Sequence, residues 1–111
     1  MNITMVRGDD KLFELTFTKG GTALDISGWT IYFTVKDRLA LEDAEAILAR
    51  DITVHSDPTH GKTQLTITHD ESEGLPDMAL YDIRSKDGEG QITTLLIGRI
   101  YAINSITQRI P

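Results

Sequence analysis

Cysteine is absent from this 111-residue chain, so neither a disulfide nor a thiolate-bound metal can hold it together. That absence fits a reducing compartment. Proline appears only at Pro58, Pro76 and Pro111, too sparsely for a proline-rich linker. Basic charge is also short: 11 Lys and Arg face 17 Asp and Glu, a net charge of −6. Binding to a phosphate backbone needs clustered cations, and the arginines here are scattered, so nucleic acid is not an expected partner. No stretch approaches the roughly 20 apolar residues that cross a bilayer, and the first ten residues lack a signal peptide's apolar core. No membrane association is expected.

What is present suits one domain spanning residues 1–111, with 40% hydrophobic and 25% charged residues, enough apolar side chains for a core. Period-2 alternation dominates, which marks strands with one buried face. Phe13, Leu15 and Phe17 share one face, as do Trp29, Ile31, Phe33 and Val35. Leu65 with Ile67, and Tyr81 with Ile83, repeat the pattern. The run 91–103 breaks parity: Ile92 and Leu96 fall on one face, Leu95 and Ile97 on the other. Either a bulge at Gly98 resets the alternation, or both faces are covered, as in a central strand or a subunit interface.

Turn residues separate these runs. Lys19-Gly20-Gly21, Ser27-Gly28 and Asp57-Pro58-Thr59-His60-Gly61 read as turns and loops, and Lys86-Asp87-Gly88-Glu89-Gly90 as a hairpin connection. Helix formers between Asp37 and Leu48 predict a short helix near the start of that segment. Asp70 with Glu73 predicts a capping box for a single turn stopped by Gly74 and Pro76. The strands fall at about 2–6, 11–18, 29–36, 46–54, 63–69, 78–85 and 91–103. The expected fold is all-β: an immunoglobulin-like antiparallel β-sandwich of about seven strands with one or two short helical turns. Asp77-x-Ala79-x-Tyr81-x-Ile83 resembles the tyrosine corner of such domains, with Ile83 where they carry cysteine and Trp29 as the core tryptophan.

A search for chemistry finds little. His55, His60 and His69 lie near Asp57 and Asp70 but lack zinc-ligand spacing, so they are expected as solvated surface residues. No serine sits in a nucleophile elbow, and Gly20-Gly21 is not followed by Gly-Lys-Ser/Thr. Asp87 to Gly90 lacks calcium-loop spacing, and the pairs Asp9-Asp10 and Glu42-Asp43 are neighbours in sequence. Arg7-Gly8-Asp9 spells an integrin-recognition tripeptide, but Gly8 is better explained as the turn between the first two strands. The expectation is therefore no enzyme, no catalytic, cofactor-binding or metal-binding residue, no cofactor, and no assignable partner-binding residue.

The motifs Met5-Val6-Arg7-Gly8-Asp9, Leu24-Asp25-Ile26-Ser27-Gly28-Trp29, Phe33-Thr34-Val35-Lys36, Leu65-Thr66-Ile67-Thr68, Leu80-Tyr81-Asp82-Ile83 and Thr94-Leu95-Leu96-Ile97-Gly98 occur in a characteristic order. The order resembles the small β-sandwich domains of tailed-phage and prophage structural proteins, particularly the N-terminal domain of baseplate upper proteins. The resemblance implies a non-enzymatic virion protein of the phage tail, made in the bacterial host cytoplasm. Its partners would be other tail or baseplate proteins and copies of itself as a homo-oligomer. Baseplate upper proteins continue into long trimerising regions, whereas this sequence stops soon after its last strand, which suggests an adaptor or connector. A second expectation is a carbohydrate-binding or host-recognition module, for which Tyr32 and Tyr101 are the tyrosines left off inward faces.

Overall fold

The computed structural model describes residues 2–37 and 46–106. Nine strands form among them: β1 (Ile3–Val6), β2 (Lys11–Thr16), β3 (Thr18–Lys19), β4 (Thr22–Ala23), β5 (Thr30–Lys36), β6 (Leu48–Ile52), β7 (Lys62–Ile67), β8 (Met78–Lys86) and β9 (Ile92–Ile103). One helical turn, α1 (His69–Glu73), joins β7 to β8, and a 3-10 turn at Pro58–His60 precedes β7. The all-β expectation holds, with two differences. Seven of the nine strands match the expected runs; the extra two form a small hairpin, β3–β4, whose first strand overlaps the end of the run 11–18 and whose second lies beyond it. Gly20 and Gly21 turn that hairpin at φ +61° and +80°, a left-handed pair that L side chains resist.

The second difference is strand direction. A five-stranded sheet runs in the order β1-β9-β8-β5-β6, and β1 lies parallel to β9 with Ile3 opposite Ile100, so the sheet is mixed, not wholly antiparallel. β2 pairs antiparallel with β7 in a separate two-stranded sheet. Between the two sheets lies one apolar core of Ile3, Met5, Ile31, Phe33, Val35, Leu65, Ile67, Tyr81, Ile83 and Ile100, with Phe13, Leu15, Phe17 and Trp29 packed against its rim. Every inward residue expected from alternation therefore faces the core. Trp29 is only half-buried, just before β5, while Phe33 and Tyr81 sit at its centre with ring centroids 5.8 Å apart. Tyr81 lies mid-strand in β8, and burial pushes its hydroxyl above the ordinary tyrosine range.

The broken parity of the last run has a local cause. Ile83 pairs with Leu96 and Arg84 with Thr94, which leaves Leu95 as an extra residue on β9. This bulge lets Leu95 and Leu96, neighbours in sequence, both pack on the core. The reset is therefore at Leu95 and not at Gly98, which continues the regular ladder opposite Tyr81.

The helical turn also starts earlier than expected. Thr68 is the N-cap: its hydroxyl accepts from the Glu71 backbone, and the Glu71 carboxylate accepts from the Thr68 backbone at 2.9 Å. The expected Asp70–Glu73 box is replaced by one two residues upstream, because Thr68 leaves β7 extended and offers the same three-residue spacing. Glu71 also receives Arg50, which shares the inward face of edge strand β6 with Leu48 and Ile52. A charge on the inward face of an edge strand disfavours pairing of a foreign strand there. The expected helix after Asp37 falls at residues 38–45, outside the described residues; the return to strand is observed as β6.

Candidate protein-binding face

The inward residues of the five-stranded sheet are accounted for by the core. Alternation places their neighbours on the opposite face, and among the described residues no element covers it. A trough of about 700 Å³ runs along this outer face. Ladder register sets its contents row by row. Asp51, Tyr32 and Arg84 are cross-strand neighbours on β6, β5 and β8. Ala49, Thr34, Asp82 and Ile97 form the next row across β6, β5, β8 and β9. Lys36, Leu80 and Arg99 form the third.

The face is mixed in character. Ile97 stands 70% exposed at the β9 end of its row, although it is a large aliphatic side chain. Leu80, Thr34 and Tyr32 are half-buried beside it. Acidic Asp51 and Asp82 alternate with basic Lys36, Arg84 and Arg99, so no region of one sign forms. Such a surface lacks the convergent cations that a phosphate site needs.

The residues examined for chemistry lie apart from one another. His55 is not a solvated surface residue: Nε2 donates to the Trp29 carbonyl at 2.7 Å and Nδ1 meets the Thr63 hydroxyl at 2.9 Å. A carbonyl can only accept, so the proton sits on Nε2 and both ring nitrogens are engaged in structure. His60 pairs with Asp57 in the 3-10 turn, Nδ1 to Oδ2 2.9 Å. His69 pairs with Asp10, whose carboxylate accepts from both its backbone amide and its ring. Those bonds hold Asp10 below the ordinary carboxylate range and raise His69 above the ordinary imidazole range. Among the described residues no three His, Asp or Glu side chains are grouped to hold a metal. Asp87 is a turn residue, its carboxylate accepting from the amides of Glu89 and Gln91.

Arg7-Gly8-Asp9 is built into the fold. The Arg7 guanidinium is only 15% exposed and donates to the Leu75 carbonyl, Asn104 Oδ1 and Asp77 Oδ1 at 2.8, 2.5 and 2.6 Å. Gly8 turns the chain at φ +89°, and its amide donates to Ser72 Oγ. Ser72, fully buried in α1, donates its own hydroxyl hydrogen bond to the Asp9 carbonyl at 2.9 Å. A guanidinium fixed this way cannot extend towards a receptor.

Of the two available tyrosines, the structure puts Tyr32 in the trough and Tyr101 opposite Met78, six residues along β8 from the partner of Tyr32. They lie roughly 20 Å apart and form no common stacking platform. The sequence reading missed Thr34, Ala49, Asp51, Leu80, Asp82, Arg84 and Ile97 as members of one surface. Leu80 and Ile97 were the legible signal, since both are apolar at positions off the inward parity. No known family model matches this chain, and no curated protein matches it.

Proposed function

We propose that the chain is a structural protein of a bacteriophage or prophage tail, a baseplate or connector component that works without catalysis through protein–protein contacts in the virion. The observation that carries this reading is the outer face of the five-stranded sheet, which no other described element covers, with Ile97, Leu80 and Tyr32 among alternating charges. Leaving a broad, partly apolar sheet face in water is unfavourable, and a partner that covers it recovers that free energy. The resemblance of the motif order to tailed-phage domains supplies the setting.

Strand order supports the immunoglobulin-like part of the reading. Counting the seven main strands, the third, sixth and seventh (β5, β8, β9) are neighbours in one layer, and the second and fifth (β2, β7) pair in the other. That is the arrangement of strands C, F, G and B, E in immunoglobulin sandwiches. β6, added beside β5, corresponds to the extra strand of the variable type.

Mass spectrometry of purified phage particles from a host carrying the gene tests the proposal. Peptides of this chain co-purifying with tail proteins are expected, and their absence from intact particles would overturn it. The alternative, a carbohydrate-binding or host-recognition module, draws on Tyr32 alone in the trough. A glycan array tests it, and no binding is expected.

A further inference from the structure

The geometry points to a second copy of this chain as the occupant of the trough, docked face to face about a two-fold axis running along the strands between β5 and β8. The inference deepens the assembly reading above and rests on it. In a two-fold interface, if one residue meets a second, the second meets the first on the other side. An axis between β5 and β8 lays β5 over β8 of the second copy and β6 over its β9.

The ladder rows decide whether such contacts are favourable. Tyr32 is level with Arg84, so each ring lies against a guanidinium of the other copy. Thr34 is level with Asp82, so a hydroxyl meets a carboxylate. Ala49 and Ile97 share that row at its two ends, so a methyl covers the most exposed aliphatic side chain of the face. Lys36 is level with Leu80, where its aliphatic stem can lie across the leucine. No charge meets its own sign in these rows.

Neighbouring axes are worse. An axis along β8 itself sets Arg84 against Arg84 and Asp82 against Asp82. An axis along β5 sets Lys36 against Lys36 and leaves Ile97 uncovered. Like charges placed face to face exclude an arrangement more effectively than weak attractions choose one. The overlap is modest. The four strands β6, β5, β8 and β9, about 4.8 Å apart and facing over about seven residues, give a footprint of about 450 Å², against about 800 Å² a side in a stable pair. The dimer is therefore expected to be weak and concentration-dependent.

The chain has no cysteine, so introduced thiols are the only ones present. Ala49→Cys and Ile97→Cys are prepared separately, mixed to allow exchange, and treated with a short bis-maleimide. Cross-linked dimer is expected in the mixture and largely lost from either variant alone, since the axis brings position 49 to position 97 and neither to itself. Sedimentation of the unmodified chain is expected to show a dimer, and Ile97→Asp a folded monomer with an unchanged circular dichroism spectrum. A dimer that cross-links in no such mixed pair overturns this face and axis while leaving tail assembly in place. A monomer at millimolar concentration, or a trough that binds a glycan instead, overturns the second copy as occupant. The tail reading then depends on whether the chain is found in virions.

Discussion

Arg7 Nε donates to the carbonyl oxygen of Leu75 at 2.8 Å, joining residues 68 positions apart. The same guanidinium reaches Asn104, and the Arg7 amide donates to the Ile103 carbonyl, so one residue ties the first turn to the loop before β8 and the end of β9. Arg7→Ala removes the guanidinium bonds, keeps the backbone bond to Ile103 and leaves the Leu75 carbonyl without its side-chain donor, an expected loss of about 2–3 kcal/mol. Arg7→Lys cannot reproduce the planar fork and recovers only part of it. Asp77→Ala should move stability by less than about 0.5 kcal/mol, because the Asp77 side chain is 96% exposed. Urea denaturation midpoints of the three variants give the ranking.

Two glycines with similar dihedral angles should respond very differently to alanine. Gly20 and Gly61 have φ +61° and +72°, so each substitution costs about 1–2 kcal/mol in backbone strain. Around Gly20 a Cβ meets nothing within 4 Å. At Gly61 it falls 2.5 Å from the Phe17 carbonyl, which already accepts from the Leu24 amide, and 2.8 Å from the carbonyl of Leu24. Gly61→Ala is therefore expected to be the more destabilising by at least about 2 kcal/mol, measured by thermal melts of both variants.

His69 and Asp10 predict a pH signature. The folded imidazole titrates above its ordinary 6.5, so its contribution is fully present below that value and fades as pH rises through the folded pKa. Asp10 titrates below its ordinary 3.8, so its contribution is present above that value and is lost as pH falls through the folded pKa. The pair thus supports the fold most between about pH 4 and 6.5. His69→Gln should lower the denaturation midpoint more at pH 5 than at pH 8. Equal losses at the two values would remove the ion pair as the cause.

Trp29 offers a test of the core's rim. Full burial would put Trp29→Ala at about 3–5 kcal/mol, but the side chain is half-buried, so a loss near the lower end is expected. Phe33→Ala, at 1% exposure in the centre of the core, should cost more. Denaturant midpoints for both variants check the order.

Alternation made the inward face of the sheets legible because a buried face selects apolar residues at every second position. Ile31, Phe33, Val35, Leu65, Ile67, Tyr81 and Ile83 were all identifiable this way. Pairing between strands was not: nothing in Ile3–Val6 announces a parallel partner 97 residues away at Ile100, since register arises from packing of the whole sheet. The bulge was legible as broken parity, but Leu95 and Gly98 could both produce it, and only the partner strand distinguishes them. The helix cap failed for a similar reason: Thr68-x-x-Glu71 and Asp70-x-x-Glu73 satisfy the same rule, and where β7 stops decides between them. The outer face was least legible. Thr34, Asp82 and Ile97 come from three separate strands and become a row only through register.

Sedimentation equilibrium of the purified chain from micromolar to millimolar concentration tests most directly whether this face is an assembly surface. A mass approaching twice the 12.3 kDa of one chain is expected. Ile97→Asp should reduce it to a single chain, and Leu12→Asp, exposed on the small β2–β7 sheet, should leave it unchanged. A mass of one chain throughout, or a dimer indifferent to Ile97→Asp, would contradict the account.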